Sequence, residues 1–213
     1  MSTAVQSRLN AWLLHPWAKP ACWVLCAIPA LALLAAAFGD ALGANPAERL
    51  IRETGEWALR FLWLTLLISP LRELAGLPGV LRLRRPLGVT AFVYAALHFL
   101  AYAWLDKGLI LPDIFADVFK RNFILVGMLA LLLMLPLALT SFNAAIRALG
   151  GRRWQMLHKL VYAVALLGLL HFYWKKSAKN DVDEVMVYAV LLALLLGWRV
   201  MRRGGILAAL RVH

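Results

Sequence analysis

Six apolar stretches divide the chain, at about 21–38, 57–71, 86–105, 123–140, 154–174 and 185–200. A straight membrane-spanning helix needs about 20 apolar residues, so four of the six are long enough as they stand. The second and sixth are short and need an extra turn at either end. Trp23, Trp57, Trp104, Trp154, Trp174 and Trp198 fall near the proposed ends, as an interfacial aromatic belt does. Of 213 residues, 63% are hydrophobic. That excess over the usual 45–50% or so cannot be hidden in so small a globule. The fold expected is all-α, a six-helix transmembrane bundle.

Charge gives the bundle a direction. The segments 1–20, 70–85, 141–153 and the tail beyond the last span, with Arg199, hold 13 Lys and Arg against one acid, Glu73. The segments 39–56, 106–122 and 175–184 hold 8 cations and 10 acids. By the positive-inside rule both termini face the cytoplasm. The net charge of +12 is therefore a topology signal, and nucleic acid is not an expected partner. Residues 1–20 and 201–213 form the cytoplasmic ends of one domain at 21–200. No cleavable leader is expected, because the first apolar run starts only near Ala21. No glycine-rich nucleotide-binding motif occurs, and no internal repeat stands out. Cys22 and Cys26 are four apart on one apolar helix and read as small fillers.

The chain has five histidines. His15 and His213 lie in the terminal segments and read as surface residues. His98, His158 and His171 lie in spans 3 and 5. Ionisable groups in lipid are costly and point to function. Imidazole is a common axial ligand of haem iron. Spans 3 and 5 both run outward, so His98 and His171 reach similar depth in the outer half. They could grip one iron from two helices. His158 lies about 20 Å away along span 5, near the cytoplasmic face. Arg84, 14 residues before His98, is at matching depth. It could ligate a second haem, bind a haem propionate, or simply mark the cytoplasmic side. One difficulty is geometric. Thirteen residues at about 100° each leave His158 and His171 about 220° past three turns, on different faces. A tilt, or a deformation near Gly168, must reconcile them.

Other features are weaker. Glu56 and Arg60 are spaced to pair on one helix turn, and Arg60 could instead meet a propionate. Lys159 is placed to snorkel. The bands 92–94, 99–102 and 172–174 could wall a flat macrocycle, and Pro136 should kink span 4.

Certain runs resemble a known family. They are Arg84-Arg85-Pro86-Leu87-Gly88, then His98, Thr140-Ser141 and Arg147-Ala148-Leu149-Gly150, then Arg153-Trp154-Gln155-Met156-Leu157-His158-Lys159-Leu160-Val161-Tyr162, and finally His171. Over about 57–199 the chain resembles the ferric-reductase-like transmembrane family. Within it, the chain looks like the haem-binding membrane subunits of bacterial protein-methionine-sulfoxide reductase systems. The resemblance implies a six-helix bundle in the bacterial inner membrane. It implies one or two b haems, with FMN as a further candidate cofactor. The implied ligands are His98 and His171 for one iron and His158 for a second. Implied donors are the quinone pool or a cytosolic flavin reductase. The implied acceptor is a periplasmic molybdopterin catalytic subunit that repairs oxidised methionine, so this chain is not itself expected to bind methionine sulfoxide. The wider family carries a fourth histidine where Arg84 stands here, and a fused flavin domain. A free-standing ferric reductase, and a haem-free transporter or assembly subunit, are the alternatives.

Overall fold

The computed structural model describes residues 3–177 and 180–203. His213, Arg211, Lys179 and most of the expected 201–213 tail lie outside the described residues. Among the described residues the fold is all helical.

A short helix α1 (Thr3–Leu14) precedes α2 (Ala18–Phe38). The long α3 (Pro46–Leu74) is capped by Asn45, whose side chain accepts from the Glu48 amide, with Pro46 in the first turn. A 3-10 turn (Pro78–Leu83) leads into α4 (Arg84–Ala101), which ends in a π turn (Tyr102–Asp106). Then come α5 (Leu111–Lys120), α6 (Asn122–Leu139), α7 (Asn143–Leu149) and α8 (Gly151–Leu157). The chain turns between α7 and α8 at Gly150, whose φ of +74° suits a residue without a Cβ. Last are α9 (Leu160–Ser177) and α10 (Asp183–Arg203).

Five stretches are long and apolar enough to cross a membrane: Ala18–Phe38, Pro78–Asp106, Asn122–Leu139, Gly151–Ser177 and Asp183–Arg202. Only 11–22% of each apolar window is buried. Side chains such as Leu31, Leu132 and Leu194 are left exposed on the outside of the bundle. Water would not tolerate that surface, whereas hydrocarbon does. The chain is thus built as a multi-pass membrane protein.

The second apolar stretch corrects the expectation from sequence. It is not a short span extended by one turn. It is the C-terminal half of α3, which reaches back to Pro46. Glu48, Arg49, Arg52, Glu53 and Glu56 lie on its first turns rather than in a loop. Together with Arg60, Arg72 and Glu73 they leave no long stretch of α3 apolar enough to join the set of five. Yet α3 is central to the core, with Leu59, Phe61, Leu62, Trp63, Thr65, Leu66 and Ile68 buried.

The principal helix pairs are α3 with α4 and α6 with α9. Further ties hold α10 against them. Trp63 Nε1 donates to the Tyr188 carbonyl, 3.1 Å, and Arg60 Nε donates to the Tyr188 hydroxyl, 3.2 Å. The expected Glu56–Arg60 pair forms at 2.8 Å. On the opposite end α1 docks on the turn after α3. Gln6 donates to the Ala75 carbonyl and Asn10 accepts from the Gly79 amide. His15 is exposed, as expected. Pro136 sits in the last turn of α6, three residues from its end. There Thr140 and Ser141 donate their hydroxyls to the carbonyls of Pro136 and Leu137.

Candidate functional site

Two cavities lie between the α3–α4 pair and the α6–α9 pair. One, of about 580 Å³ and called outer after the direction expected from the charge bias, is lined by Gly55, Leu59, His98, Phe99, Gly127, His171 and Phe172, among others. The inner, of about 420 Å³, is lined by Thr65, Arg84, Gly88, Phe92, Trp154 and His158, among others. Both are within the usual range for small-molecule sites. Leu62, Met134 and Val164 line both and form the wall between them. All three are buried.

The outer cavity brings together the pair the sequence picked out. The His98 and His171 rings face one another with centroids 6.0 Å apart and planes at 79°. Each ring is tethered at Nδ1. His98 Nδ1 donates to the Ile51 carbonyl on α3 at 2.7 Å, and His171 Nδ1 donates to the Phe123 carbonyl on α6 at 2.6 Å. A carbonyl can only accept, so the proton is on Nδ1 in both rings. The lone pair is left on Nε2, the tautomer a metal ligand needs. Imidazole–metal bonds are about 2 Å long. Two rings bound through Nε2 on opposite faces of one ion therefore stand roughly 6 Å apart, centroid to centroid. The pair fits a bis-histidine iron.

The rest of the outer cavity suits a flat apolar ring with an acidic edge. Phe99, Tyr102 and Phe172 line it beside Leu59, Leu62 and Leu131. Arg52, Arg121, Lys175 and Lys176 line its polar rim, where two carboxylates would find cations. Arg60 is not among the lining residues; it is engaged with Glu56 and Tyr188. Of the aromatic bands, Tyr94 turns away altogether. Its hydroxyl accepts from the Ala30 amide and donates to the Cys26 carbonyl of α2.

The rim is closed by a charged knot. Asp117 of α5 accepts from the Tyr102 hydroxyl at 2.6 Å, pairs with Lys107 at 3.0 Å, and pairs with Arg121. These donors, Arg121 foremost, hold its carboxyl well below the usual carboxylate range, and Asp117 in turn raises Arg121.

The inner cavity is built differently. His158 Nδ1 donates to the Trp154 carbonyl, four residues back in its own chain, at 3.1 Å, and its ring stacks on Trp154 at 4.0 Å. Its Nε2 is buried without a hydrogen-bond partner. An orphaned buried nitrogen is expensive unless something binds it. Arg84 lines the same cavity from the first turn of α4 and is exposed. The inner site thus offers one imidazole and the cations Arg84, Arg85 and Lys159, and among its lining residues no second histidine.

The structure also answers the phase difficulty, and not at the expected place. Gly168 lies inside the unbroken α9. The helix is interrupted at His158–Lys159, between α8 and α9. There the bonds tighten: Lys159, Val161 and Tyr162 each donate three residues back. The break lets His158 and His171 address cavities stacked on the same side of the bundle.

Sequence reasoning missed the seats of the outer pair. A Cβ placed on Gly55 would lie 2.9 Å from His98 Nδ1, and one on Gly127 would lie 2.7 Å from His171 Nδ1. Their only sequence signal was glycine inside a helix, which costs about 1 kcal/mol relative to alanine and invites a packing reason.

Comparison with known proteins agrees with this architecture. Residues 54–169 match the family described as ferric reductase like transmembrane component. The chain is 55% identical over 189 residues to the protein-methionine-sulfoxide reductase heme-binding subunit MsrQ of Polaromonas naphthalenivorans, covering 89% of this chain and 86% of that one. The like-named protein of Azospira oryzae is 54% identical over 185 residues, 87% of this chain and 79% of its own. That of Ralstonia nicotianae is 47% identical over 192 residues, 87% and 88%. No solved structure matches the chain.

Proposed function

Because the chain belongs to the ferric-reductase-like transmembrane family, we propose that it is the haem-binding, electron-carrying membrane subunit of a protein-methionine-sulfoxide reductase. The observation that carries this reading is the His98–His171 pair, two imidazoles from different helices facing each other at 6.0 Å with both Nε2 lone pairs free. Bound there, haem b would supply the one-electron couple that side chains lack.

The chain's own residues supply the rest. His98 and His171 would hold the iron, and the carbonyls of Ile51 and Phe123 fix the tautomer that allows it. Arg52, Arg121, Lys175 and Lys176 offer counter-charge to carboxylates at the rim. Leu59, Leu131 and Phe172 keep water from the apolar part of the outer cavity. Leu62, Met134 and Val164 keep the two cavities distinct yet only a side chain apart.

The inner cavity is proposed as a second haem site with His158 as its one imidazole. The buried, unpartnered Nε2 favours this. Arg84 would face that group as a cation. In this reading α3 is a sixth span and both termini are cytoplasmic, in a bacterial inner membrane, supported by the 13-to-8 bias of Lys and Arg. Electrons would be taken up on the cytoplasmic side from quinone or a flavin reductase. They would be passed to a periplasmic molybdopterin subunit, which alone would bind methionine sulfoxide.

The test is purification in detergent, with haem and flavin content measured together and spectra recorded in both redox states. A low-spin b-type spectrum that disappears in His98→Ala and in His171→Ala is the expected result. Stoichiometry then gives one or two haems, and the flavin content decides on FMN. Folded wild-type protein that takes up no haem when haem is supplied, or wild-type spectra in both variants, would remove the reading. Repair of methionine sulfoxide by a co-expressed periplasmic subunit, against reduction of ferric ion alone, separates this reading from a free-standing metal reductase.

A further inference from the structure

The two halves of the outer clamp are one device used twice. In the α3–α4 half, His98 donates to the carbonyl of Ile51 and its ring lies on Gly55, four residues further along α3. In the α6–α9 half, His171 donates to the carbonyl of Phe123 and its ring lies on Gly127, again four residues further along α6. The chain separations also correspond. Gly55 precedes His98 by 43 residues and Gly127 precedes His171 by 44. The repeat invisible in the residue types is present in the arrangement.

The glycines decide how near each ring can come. A Cβ at Gly55 would meet His98 Nδ1 at 2.9 Å and Cε1 at 3.0 Å; at Gly127 it would meet His171 Nδ1 at 2.7 Å and Cε1 at 2.9 Å. Carbon atoms do not pack so closely, and both rings are pinned from behind by their Nδ1 bonds. Any side chain at either position must push its ring toward the partner histidine or break the Nδ1 bond. Gly79 of the 3-10 turn is as tightly enclosed, but by Asn10 and Leu13 of α1; the other glycines inside α-helices carry no such load. A Cβ at Gly88 or Gly168 meets its nearest neighbour at 3.5 Å, and one at Gly197 meets nothing within 4 Å. The inner cavity lacks the device: His158 bonds to its own helix, and the glycine that lines that cavity, Gly88, faces Thr65.

We propose that Gly55 and Gly127 are positioning residues for the iron-binding histidines, fixing the 6.0 Å gap and the near-perpendicular ring planes by giving each imidazole a flat seat on the neighbouring helix. The proposal rests on the function proposed above. The bend of each ring relative to the other, and the strength of each Nδ1 bond, set the electronic character of a bound iron. The seats therefore act on the spectrum and the potential, not only on folding.

The experiment uses full-length protein purified with its haem. Gly55→Ala and Gly127→Ala are compared with wild type and with Gly197→Ala as control. Low-spin ferric electron paramagnetic resonance, optical spectra and midpoint potential are read. The expected result is loss or displacement of the wild-type low-spin signal and a shifted potential in both seat variants, with the control unchanged. Seat variants identical to wild type in signal and potential would overturn the proposal. The clamp contact is read separately by thermal unfolding of haem-free protein. Gly55→Ala should lower the midpoint when His98 is present and have little effect in a His98→Ala background. An equal loss in both backgrounds would overturn it even where the single variants load haem poorly. If wild type itself holds no low-spin haem, the proposed function fails instead, and the haem-free unfolding cycle still reports on the seat.

Discussion

The hydroxyl of Tyr94 stands inside the hydrogen-bond ladder of another helix, between Ala30 and Cys26. It accepts from the Ala30 amide at 2.8 Å and donates to the Cys26 carbonyl at 2.9 Å. In an uninterrupted helix those two groups would bond each other. The insertion is next to Pro29, whose ring already weakens the ladder there. One phenol thereby satisfies two backbone groups of α2 and ties it to α4. Tyr94→Phe should destabilise the bundle by about 1–3 kcal/mol, the cost of leaving buried polar groups unpaired. Thermal unfolding in detergent measures this, and an unchanged midpoint would show that α2 closes its own ladder.

Loss of either outer imidazole should be felt by the whole site. His98→Ala and His171→Ala are each expected to convert a six-coordinate, low-spin spectrum to a five-coordinate, high-spin one or to abolish binding. The planes of the two rings, 79° apart, add a finer expectation for wild type. Nearly perpendicular imidazoles leave the iron orbitals close to degenerate. The ferric resonance should then show one strongly shifted low-field feature in place of a spread rhombic set. A rhombic spectrum typical of parallel rings would contradict the observed geometry.

His158→Ala should separate the two cavities. It removes an imidazole whose nearest hydrogen-bond partner is its own helix and leaves the Ile51 and Phe123 tethers untouched. The outer low-spin spectrum should persist, while reduction from the cytoplasmic side slows. Haem content should fall if the inner cavity is loaded in wild type. Normal reduction kinetics with full haem content would count against the inner site.

Asp117 gives a pH dependence with a defined sign. Its carboxyl is held below the usual value near 4 by Arg121, Tyr102 and Lys107. A group whose folded value is depressed contributes stability above its unfolded value, and that contribution is lost as pH falls through the folded one. The outer rim should therefore be stable at neutral pH and weaken only as acid takes the solution below about pH 4. Asp117→Asn should lower the unfolding midpoint at pH 7 and flatten the acid limb. Parallel pH profiles for the two proteins would exclude the carboxylate as the source.

The class of the molecule was legible in its residues. Long apolar runs cannot be solvated by water, so five of the six expected spans reappear as long apolar helices, and the Lys and Arg bias supplies an expected direction. That His98 and His171 should meet was also legible, because costly groups at matched depth on two spans are a strong signal, and the tertiary structure brings the two rings together. Other features depended on the fold. The extent of α3 was hidden because burial against α4 and α9 is what permits charges and apolar groups on one helix. The break at His158–Lys159 is a matter of local hydrogen bonding that no residue there advertises. The seats at Gly55 and Gly127 are defined by what they lack. A missing side chain has meaning only once another helix has delivered a ring to the empty place.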